Sequence, residues 1–358
     1  MSTLRTNAIL DASGGNTATI NTVPLRPGVL DPENRIINGA FDFWQRGTSS
    51  TASGYLPDRW YSEFSGGSFS QSRQAFTLGD TFGNNNPSFF LRQSVSGQST
   101  AAQYAITVQS IEGVRNYAGQ TITVLGWMRR SSGSGNVAVQ CIQDFGTGGS
   151  PSSRVFVSPQ TVTLTGSWAA FALTFAVPSI SGKTLGTNGN DYLQLRFWTS
   201  AGSDFNANTN SLGLQTIGVD LWGVHIKVGT HTTAAVDLYK QPELGPELAR
   251  CQRYYFKLAG GGVSNVGFSS GAFASTTTLY TMQTFPVTMR AAPSFSFSSL
   301  NVADGVTGIS VSSTALTAAG TNSAQIGWVA SSASFTAKSG GYVYTAGGSG
   351  FIAGDAEL

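Results

Sequence analysis

The chain has 358 residues and a mass of 37.4 kDa, with only 11 % charged residues and 44 glycines. Soluble globular domains carry about 25 % charged residues. Gly, Ser, Thr, Asn and Gln replace the missing charge here, which favours strands joined by polar turns over helices. The hydrophobic fraction of 40 % is enough for a packed core and argues against wholesale disorder. The length predicts roughly two or three domains.

The charge pattern excludes several classes of partner. Twenty basic and 18 acidic residues leave a net charge of +2, and no basic block is present, so no nucleic acid is predicted as a partner. No apolar run approaches the ~18 residues that cross a bilayer, so no membrane insertion is expected. The first residues, MSTLRTNAIL, lack the apolar stretch of a signal peptide. We expect synthesis in the cytosol without export by that route.

Cysteine and histidine are too few for most catalytic and metal sites. Cys141 and Cys251 are far apart and match no metal-binding spacing, so they are predicted to be small buried hydrophobes. With His225 and His231 as the only histidines, a Ser–His–Asp triad or a His-rich zinc site is disfavoured. The composition does not exclude a glycosidase that uses a pair of carboxylates. The 18 acidic residues, however, are scattered along the sequence. No enzyme is predicted.

Residues 1–34 differ from the rest of the chain. This segment has turn residues, two Pro-containing turn pairs and almost no hydrophobic periodicity, so it offers too little apolar surface to fold alone. We expect an arm that orders on a partner, in which the alternating segment TATINTV adds a strand to another chain. The alternative is a floppy tail.

Residues 35–238 contain nine or ten segments of alternating apolar and polar residues, joined by polar loops. In YLQLRFW, for example, Leu193, Leu195 and Phe197 form the apolar side. The other side of that strand consists of Tyr192, Gln194, Arg196 and Trp198. Many short alternating strands without a strong helical stretch predict a two-sheet antiparallel sandwich.

Residues 239–258 contain the one predicted helix, which links two β regions. Its acidic residues come early and its arginines late, which suits the helix dipole. Leu244, Leu248, Cys251 and Tyr255 form one predicted apolar stripe. Residues 259–358 return to Gly/Ser/Thr-rich alternation and are predicted to form a smaller β-sandwich domain. The fold class is therefore all-β.

Several phrases, in order, resemble a family of bacteriophage virion proteins. NRIINGAFDFWQRG followed by LPDRW resembles the opening of that family. SIEGVRNYAGQTITVLGWMR and LTGSWAAFALTFAVPSI resemble strands of jelly-roll carbohydrate-binding modules. IGVDLWGVHIKVGTHTTA is similar to the module ending found in phage fibres, and ELARCQRYYFKL and FPVTMRAAPSF resemble the linker and C-terminal domain that follow it. The resemblance covers nearly the whole chain and implies a jelly roll at 35–238.

The resemblance implies a structural subunit of a tailed-phage virion appendage, such as a tail fibre. It further implies a homotrimer, attachment of the 1–34 arm to other virion proteins of the tail, collar or portal region, and recognition of a host-surface polysaccharide. The expected location is the virion, after synthesis in the host cytoplasm. A head-decoration or collar fibre with a purely structural role is the alternative. A polysaccharide depolymerase is less favoured, because no repeating strand period is visible.

A sugar-binding site needs aromatic faces beside amide, carboxylate or guanidinium groups. The predicted glycan-binding residues are Tyr61, Trp198, Trp60 and Arg59. Tyr61 lies beside Trp60, and Trp198 precedes a Gly/Asn-rich loop, so both are expected to be exposed. The tryptophans in the phrases that define the module are predicted to be core: Trp44, Trp168 and Trp222.

No cofactor is predicted. Calcium is the one metal that the resemblance suggests. Related sugar-binding modules often carry an acidic residue in the closing strand, near a structural calcium ion. Asp220 is in that strand here, and Asp42 is the other candidate ligand. A calcium site takes more oxygen ligands than these two. The closing strand also departs from the family pattern, with Lys227 at its usual acidic position and His225 where Gln is common.

Overall fold

The structure, a computed structural model, describes residues 19–20, 23–24 and 34–358. The predicted arm at 1–34 therefore lies almost wholly outside the described residues. Within it, β1 (Thr19–Ile20) pairs antiparallel with β2 (Val23–Pro24). At residue 34 the chain joins the sandwich, because the side chain of Asn34 accepts hydrogen bonds from the backbone of Ile36 and Ile226, each at 3.1 Å.

Two antiparallel sheets form the larger unit. Sheet 1 has the strand order β11-β10-β14-β8-β5-β4, with β12 also paired to β10. Its strands are β4 (Gly54–Tyr55), β5 (Tyr61–Ser65), β8 (Tyr104–Glu112), β10 (Asn136–Asp144), β11 (Val155–Phe156), β12 (Gln160–Thr163) and β14 (Tyr192–Ala201). Sheet 2 has the order β13-β9-β15-β7-β6-β3. Its strands are β3 (Ser49–Ser50), β6 (Ser68–Ala75), β7 (Phe89–Ser96), β9 (Thr121–Gly133), β13 (Ala169–Ala176) and β15 (Ile217–Val228).

The core of this sandwich follows from the alternation in the sequence. Leu193, Leu195 and Phe197 of β14 are all buried between the sheets, as predicted. Successive side chains of a strand point to opposite faces, so Tyr192, Gln194, Arg196 and Trp198 of β14 lie on the outer face of sheet 1. Cys141 and Cys251 are both buried free thiols, which confirms their predicted role as core residues.

Short helices join the β regions. A 3-10 turn (Ser203–Phe205) and α1 (Asn206–Thr209) follow β14, and a second 3-10 helix (Thr233–Leu238) follows β15. The predicted linker helix is present as α2 (Leu244–Gln252). Its apolar stripe is only partly correct, because Leu244 is 61 % exposed while Cys251 is buried. Among the described residues, no helix has the length and apolar content needed to cross a membrane.

Residues after α2 form two further β assemblies. A three-stranded sheet has the order β16-β24-β19. Its strands are β16 (Tyr255–Ala259), β19 (Ser294–Ser298) and β24 (Phe351–Asp355). A closed barrel has the order β17-β18-β22-β21-β20-β23. Its strands are β17 (Gly267–Phe273), β18 (Thr278–Thr284), β20 (Leu300–Ala303), β21 (Gly308–Ala319), β22 (Ser323–Ala330) and β23 (Gly340–Thr345).

The all-β class is confirmed, with one correction to the second β region. A small sandwich is predicted there, but β17 pairs with both β18 and β23, so the six strands close into a barrel. Closure removes the unpaired edges that an open sandwich of this size would expose.

The segment 351–358 ties these later strands to the first sandwich. Arg46 forms ion pairs with Asp355 at 3.1 Å and with Glu357 at 3.2 Å. The Arg59 guanidinium also pairs with Glu357, and both side chains are buried. Its Nη2 donates to the backbone oxygen of Ser110 at 2.6 Å. These contacts fix the end of the described chain against the region around residues 46–59.

Candidate functional site

The outer face of sheet 1 carries the strongest combination of polar and aromatic side chains. Tyr61, Val108, Arg196 and Gln140 are successive partners across β5, β8, β14 and β10. Residues that are direct partners on neighbouring strands share a face, so these four side chains form one row. The next row consists of Glu63, Ile106, Trp198 and Ala138. We call the outward residues of these four strands the open face.

Arg196 lies near the centre of the open face. Its Nε donates to Oε1 of Gln194 at 2.6 Å, and Gln194 in turn donates to the Ser110 hydroxyl at 3.1 Å. Within residues 34–358, no hydrogen bond joins its Nη atoms to a protein acceptor and no carboxylate pairs with it. Burial, together with the nearby charge of Arg154, lowers the pKa of Arg196 to about 10. A guanidinium in this state is available to an incoming acceptor.

Aromatic side chains flank this arginine. The Trp198 ring lies 5.9 Å from the Arg196 guanidinium. Tyr104 packs edge-on against Trp198 at 5.9 Å, and its hydroxyl donates to Glu63 at 2.6 Å. Burial, together with the hydrogen bond to Glu63, raises the pKa of Tyr104 to about 12. At the other side, the half-buried Tyr61 ring lies 5.0 Å from that of Tyr55.

Two of the four predicted glycan residues lie on the open face. Tyr61 is half-buried and presents part of its ring. Trp198 is on the same face, but the prediction that it is exposed is wrong, because Tyr104 and Phe205 pack over it and leave it 3 % exposed. Trp198 therefore packs beneath Arg196 as part of the structure of the open face, and no ring surface is left on which a sugar could stack.

Trp60 and Arg59 lie elsewhere, and both are corrections. Trp60 is fully buried between the sheets, 5.1 Å from the ring of Phe41, with its indole NH donating to Asn38. Arg59 is 1 % exposed and stacks on Tyr254, 3.4 Å from the ring centroid. Burial lowers the pKa of its guanidinium. Neither side chain reaches a surface ligand.

The two calcium candidates have protein partners. The Asp42 carboxylate accepts a hydrogen bond from Gln241 at 2.7 Å, and burial raises its pKa to about 6. Asp220 is buried on the outer side of sheet 2 between Arg92 and Arg129, each with a nitrogen at 2.7 Å. Two guanidiniums occupy the oxygens that a cation would need. Within residues 34–358, no three His, Cys, Asp or Glu side chains converge on a metal position.

Five further residues of the open face are not among the predicted glycan-binding residues: Arg196, Gln140, Gln194, Tyr104 and Glu63. The alternation in YLQLRFW already places Arg196 and Gln194 on the same side as Trp198, away from the apolar side. That signal was sufficient to find the centre of the face. The pairing of β14 with β8 and β5, which brings in Glu63 and Tyr104, has no local signature in the sequence.

No family model matches the chain. No curated protein matches it either. One similar solved structure is the enzymatically active domain of tailspike protein 4 from bacteriophage CBA120, at 13 % identity and a TM-score of 0.32. That alignment covers 55 % of this chain but 21 % of the tailspike chain, so about four fifths of that protein has no counterpart in the alignment.

Two small binding domains align over most of their own length. The N-terminal cellulose-binding domain of Cellulomonas fimi β-1,4-glucanase C has 16 % identity and a TM-score of 0.30, over 52 % of this chain and 97 % of that one. The CBM22-1 xylan-binding domain from Paenibacillus barcinonensis Xyn10C has 10 % identity and a TM-score of 0.29, over 56 % and 96 %. Similarities at this level carry no argument about function. The strand pairing given above establishes the sandwich independently of them.

Proposed function

We propose that the open face binds a carbohydrate chain. The observation that carries this proposal is the row Tyr61–Val108–Arg196, in which an arginine without a carboxylate partner lies near aromatic rings on a sheet surface. The next residue of that row, Gln140, is buried and accepts a hydrogen bond from Asn208. Sugar hydroxyls are both donors and acceptors. The NH groups of Arg196 would donate hydrogen bonds to their oxygens, and the exposed Glu63 carboxylate would accept hydrogen bonds from their OH groups.

A glycan suits this surface better than other polymers. Nucleic acid would need several cations along a groove, whereas the open face also carries the Glu63 carboxylate, two strands away from Arg196 in the adjacent row. A protein partner would favour a larger apolar patch. The half-exposed ring of Tyr61 supplies the apolar contact that the C–H face of a sugar ring needs. Binding at one such face is weak, so several copies acting together would raise the avidity.

We further propose that the protein is a subunit of a tailed-phage virion appendage, with the tail fibre as the favoured form. The support is the ordered set of sequence phrases that resemble phage virion proteins. In this proposal the arm at 1–34 attaches to other virion proteins, three copies assemble, and the open face meets a host-surface polysaccharide. The protein is then a binding component and not an enzyme, and its location is the virion.

Glycan arrays followed by calorimetry test the binding proposal. We expect the full chain to retain a defined set of polysaccharides, and Arg196→Ala to weaken that binding about tenfold, the effect of losing a charge-assisted hydrogen bond. Tyr61→Ala should weaken it by a similar factor. The matched controls are Arg73→Ala, which removes a half-buried arginine from sheet 2, and Tyr342→Ala in the barrel.

Two results would overturn the proposal. One is an array without any retained glycan, and the other is wild-type affinity in both open-face variants. The first of these would favour the alternative, a head-decoration or collar fibre with a purely structural role.

Light scattering separates the assembly proposals. A particle about three times 37.4 kDa that persists after removal of residues 1–32 would support a fibre whose body assembles by itself. A monomer with and without those residues would count against the trimer and favour a decoration protein held in place by its partners.

A further inference from the structure

A pocket lies on the side of the sandwich opposite the open face. It opens beside the outer face of sheet 2, between β6, β7 and the segment 76–88, and has a volume of about 330 Å³. Small-molecule sites begin at about 300 Å³, so this pocket suits one sugar ring and not a chain. Arg129, Trp168, Phe76, Phe82 and Asp80 are among the residues that line it. We call it the sheet 2 pocket.

Aromatic rings form one wall of the sheet 2 pocket. Trp168 is half-buried and lies 5.3 Å from Phe76 and 5.5 Å from Phe82. The prediction that Trp168 is core is therefore only partly correct. Phe76 and Phe82 are also half-buried, so the wall retains apolar surface for the C–H face of a ring.

The charge at the base of the pocket is unbalanced. The buried Asp220 carboxylate binds Arg92 through two nitrogens, at 2.7 and 2.8 Å, and Arg129 through Nε at 2.7 Å. One negative charge thus faces two positive charges. Arg129 donates only through Nε among the hydrogen bonds of residues 34–358, which leaves its two Nη groups for a ligand. Its guanidinium also lies 5.0 Å from the Trp168 ring, which holds it in place.

Acceptors for hydroxyl groups lie at the mouth of the pocket. One oxygen of Asp80 accepts a hydrogen bond from the backbone NH of Thr77 at 3.0 Å, and the side chain is exposed. No hydrogen bond among residues 34–358 reaches the second oxygen, so it can accept one from a hydroxyl group. Asp80 would repel a doubly charged phosphate more than a singly charged carboxylate. The planar fork of Arg129 also matches a carboxylate.

We propose that the sheet 2 pocket binds a carboxylated sugar unit, such as a uronic acid at the end or on a branch of a polysaccharide. The carboxylate accepts hydrogen bonds from the Nη groups of Arg129. The ring packs against Trp168 and Phe82, and the hydroxyls donate to Asp80. This site uses no residue of the open face, so it does not depend on the proposal made for that face.

Calorimetric titration of the full chain tests the proposal, with methyl β-D-glucuronoside as the probe and methyl β-D-glucoside, acetate and phosphate as comparisons. We expect the glucuronoside to bind about tenfold more tightly than the glucoside, because only it meets the Arg129 fork. Acetate should bind more weakly than the glucuronoside, because it has no ring or hydroxyls. Equal affinity for the two glycosides, or a preference for phosphate, would overturn the proposal.

Matched variants locate the site. Arg129→Gln should lose about tenfold in glucuronoside affinity. Arg92→Gln also removes a partner of Asp220 but does not line the pocket, so it should bind as the wild type does. Arg73→Ala removes a half-buried arginine of β6 that does not line the pocket, so it should also leave this titration unchanged. An equal loss in Arg92→Gln and Arg129→Gln would overturn the proposal, because the effect would then belong to the buried ion pairs.

A variant of the exposed Asp80 side chain tests the site without changing a buried residue. Asp80→Ala should weaken glucuronoside binding, because the hydroxyls lose their acceptor, while acetate affinity should not fall. A parallel loss for both ligands, or for neither, would contradict the role given to Asp80.

Discussion

The two outer faces of the sandwich each place an arginine beside a tryptophan, but they treat the positive charge in opposite ways. On the open face, Arg196 lies 5.9 Å from the ring of Trp198 and bonds to an amide. On the outer face of sheet 2, Arg129 lies 5.0 Å from Trp168 and pairs with the buried Asp220. The first charge is partly desolvated and has no ion-pair partner, whereas the second shares one buried carboxylate with Arg92.

This difference separates a charge that stabilises the fold from one that costs it free energy. Hydrogen bonding to Asp220 raises the pKa of Arg92, so the charged form is favoured on sheet 2. Burial lowers the pKa of Arg196 to about 10, so the charged form is disfavoured on the open face. A residue that costs stability where it stands is a candidate for a binding role.

The largest effect is expected for Asp220→Asn. The change removes the negative charge from between two arginines, and breaking a buried ion pair costs about 3 kcal/mol or more. We expect the free energy of unfolding in urea to fall by about that amount. The matched change on the open face is Glu63→Gln, an exposed carboxylate that should shift stability by less than about 0.5 kcal/mol. Similar urea midpoints for the two variants would contradict the difference drawn between the two outer faces.

The second prediction has the opposite sign. Arg196→Gln removes a desolvated charge while keeping a polar side chain, so the free energy of unfolding at pH 7 should rise by about 1 kcal/mol. The same variant should bind glycan about tenfold more weakly. Urea denaturation and calorimetry on one preparation measure both quantities. A variant that loses stability and binding together would show that Arg196 supports the fold.

The third prediction gives the pH dependence of that gain. The folded pKa of Arg196 is about 10 and lies below its unfolded value, so the unfolded state binds more protons above pH 10. Stability of the wild type should therefore rise relative to Arg196→Gln as the pH increases past 10. Below pH 10 the difference between the two proteins should be constant. Denaturation at pH 8, 9.5 and 11 measures it, and a gap that does not narrow would contradict the assignment.

The smallest effect is expected for Tyr104→Phe. This change removes the hydroxyl that donates to Glu63 at 2.6 Å but keeps the ring that packs on Trp198. Because this hydrogen bond is exposed to water, stability should fall by about 0.5 kcal/mol. A loss of several times that size would mean that the open face is held together as firmly as the outer face of sheet 2.

The alternation of residues allowed much of the open face to be predicted. In YLQLRFW it separates Leu193, Leu195 and Phe197 from the outward side chains, and the structure has the same division. Alternation does not predict how deeply an outward side chain is buried. Trp198 is outward in register, but it is buried because Tyr104 and Phe205 pack over it from other parts of the chain.

The errors at Arg59 and in the second β region have a related cause. Arg59 follows Asp58 in a turn-like phrase, and its partner Glu357 is 298 positions away. The closure of the barrel likewise depends on the pairing of β17 with β23. Local patterns report which face a side chain takes, whereas partners distant in sequence decide whether that face is covered.

The contact between Arg59 and the segment 351–358 also has a consequence for how the protein is made. While the ribosome is still adding the barrel strands, Arg59 lacks its ion-pair partner, because Glu357 has not been synthesised. Burying an unpaired guanidinium is strongly unfavourable. We therefore expect the first sandwich to stay incompletely closed around Arg59 during translation and to lock only when residues 355–357 arrive.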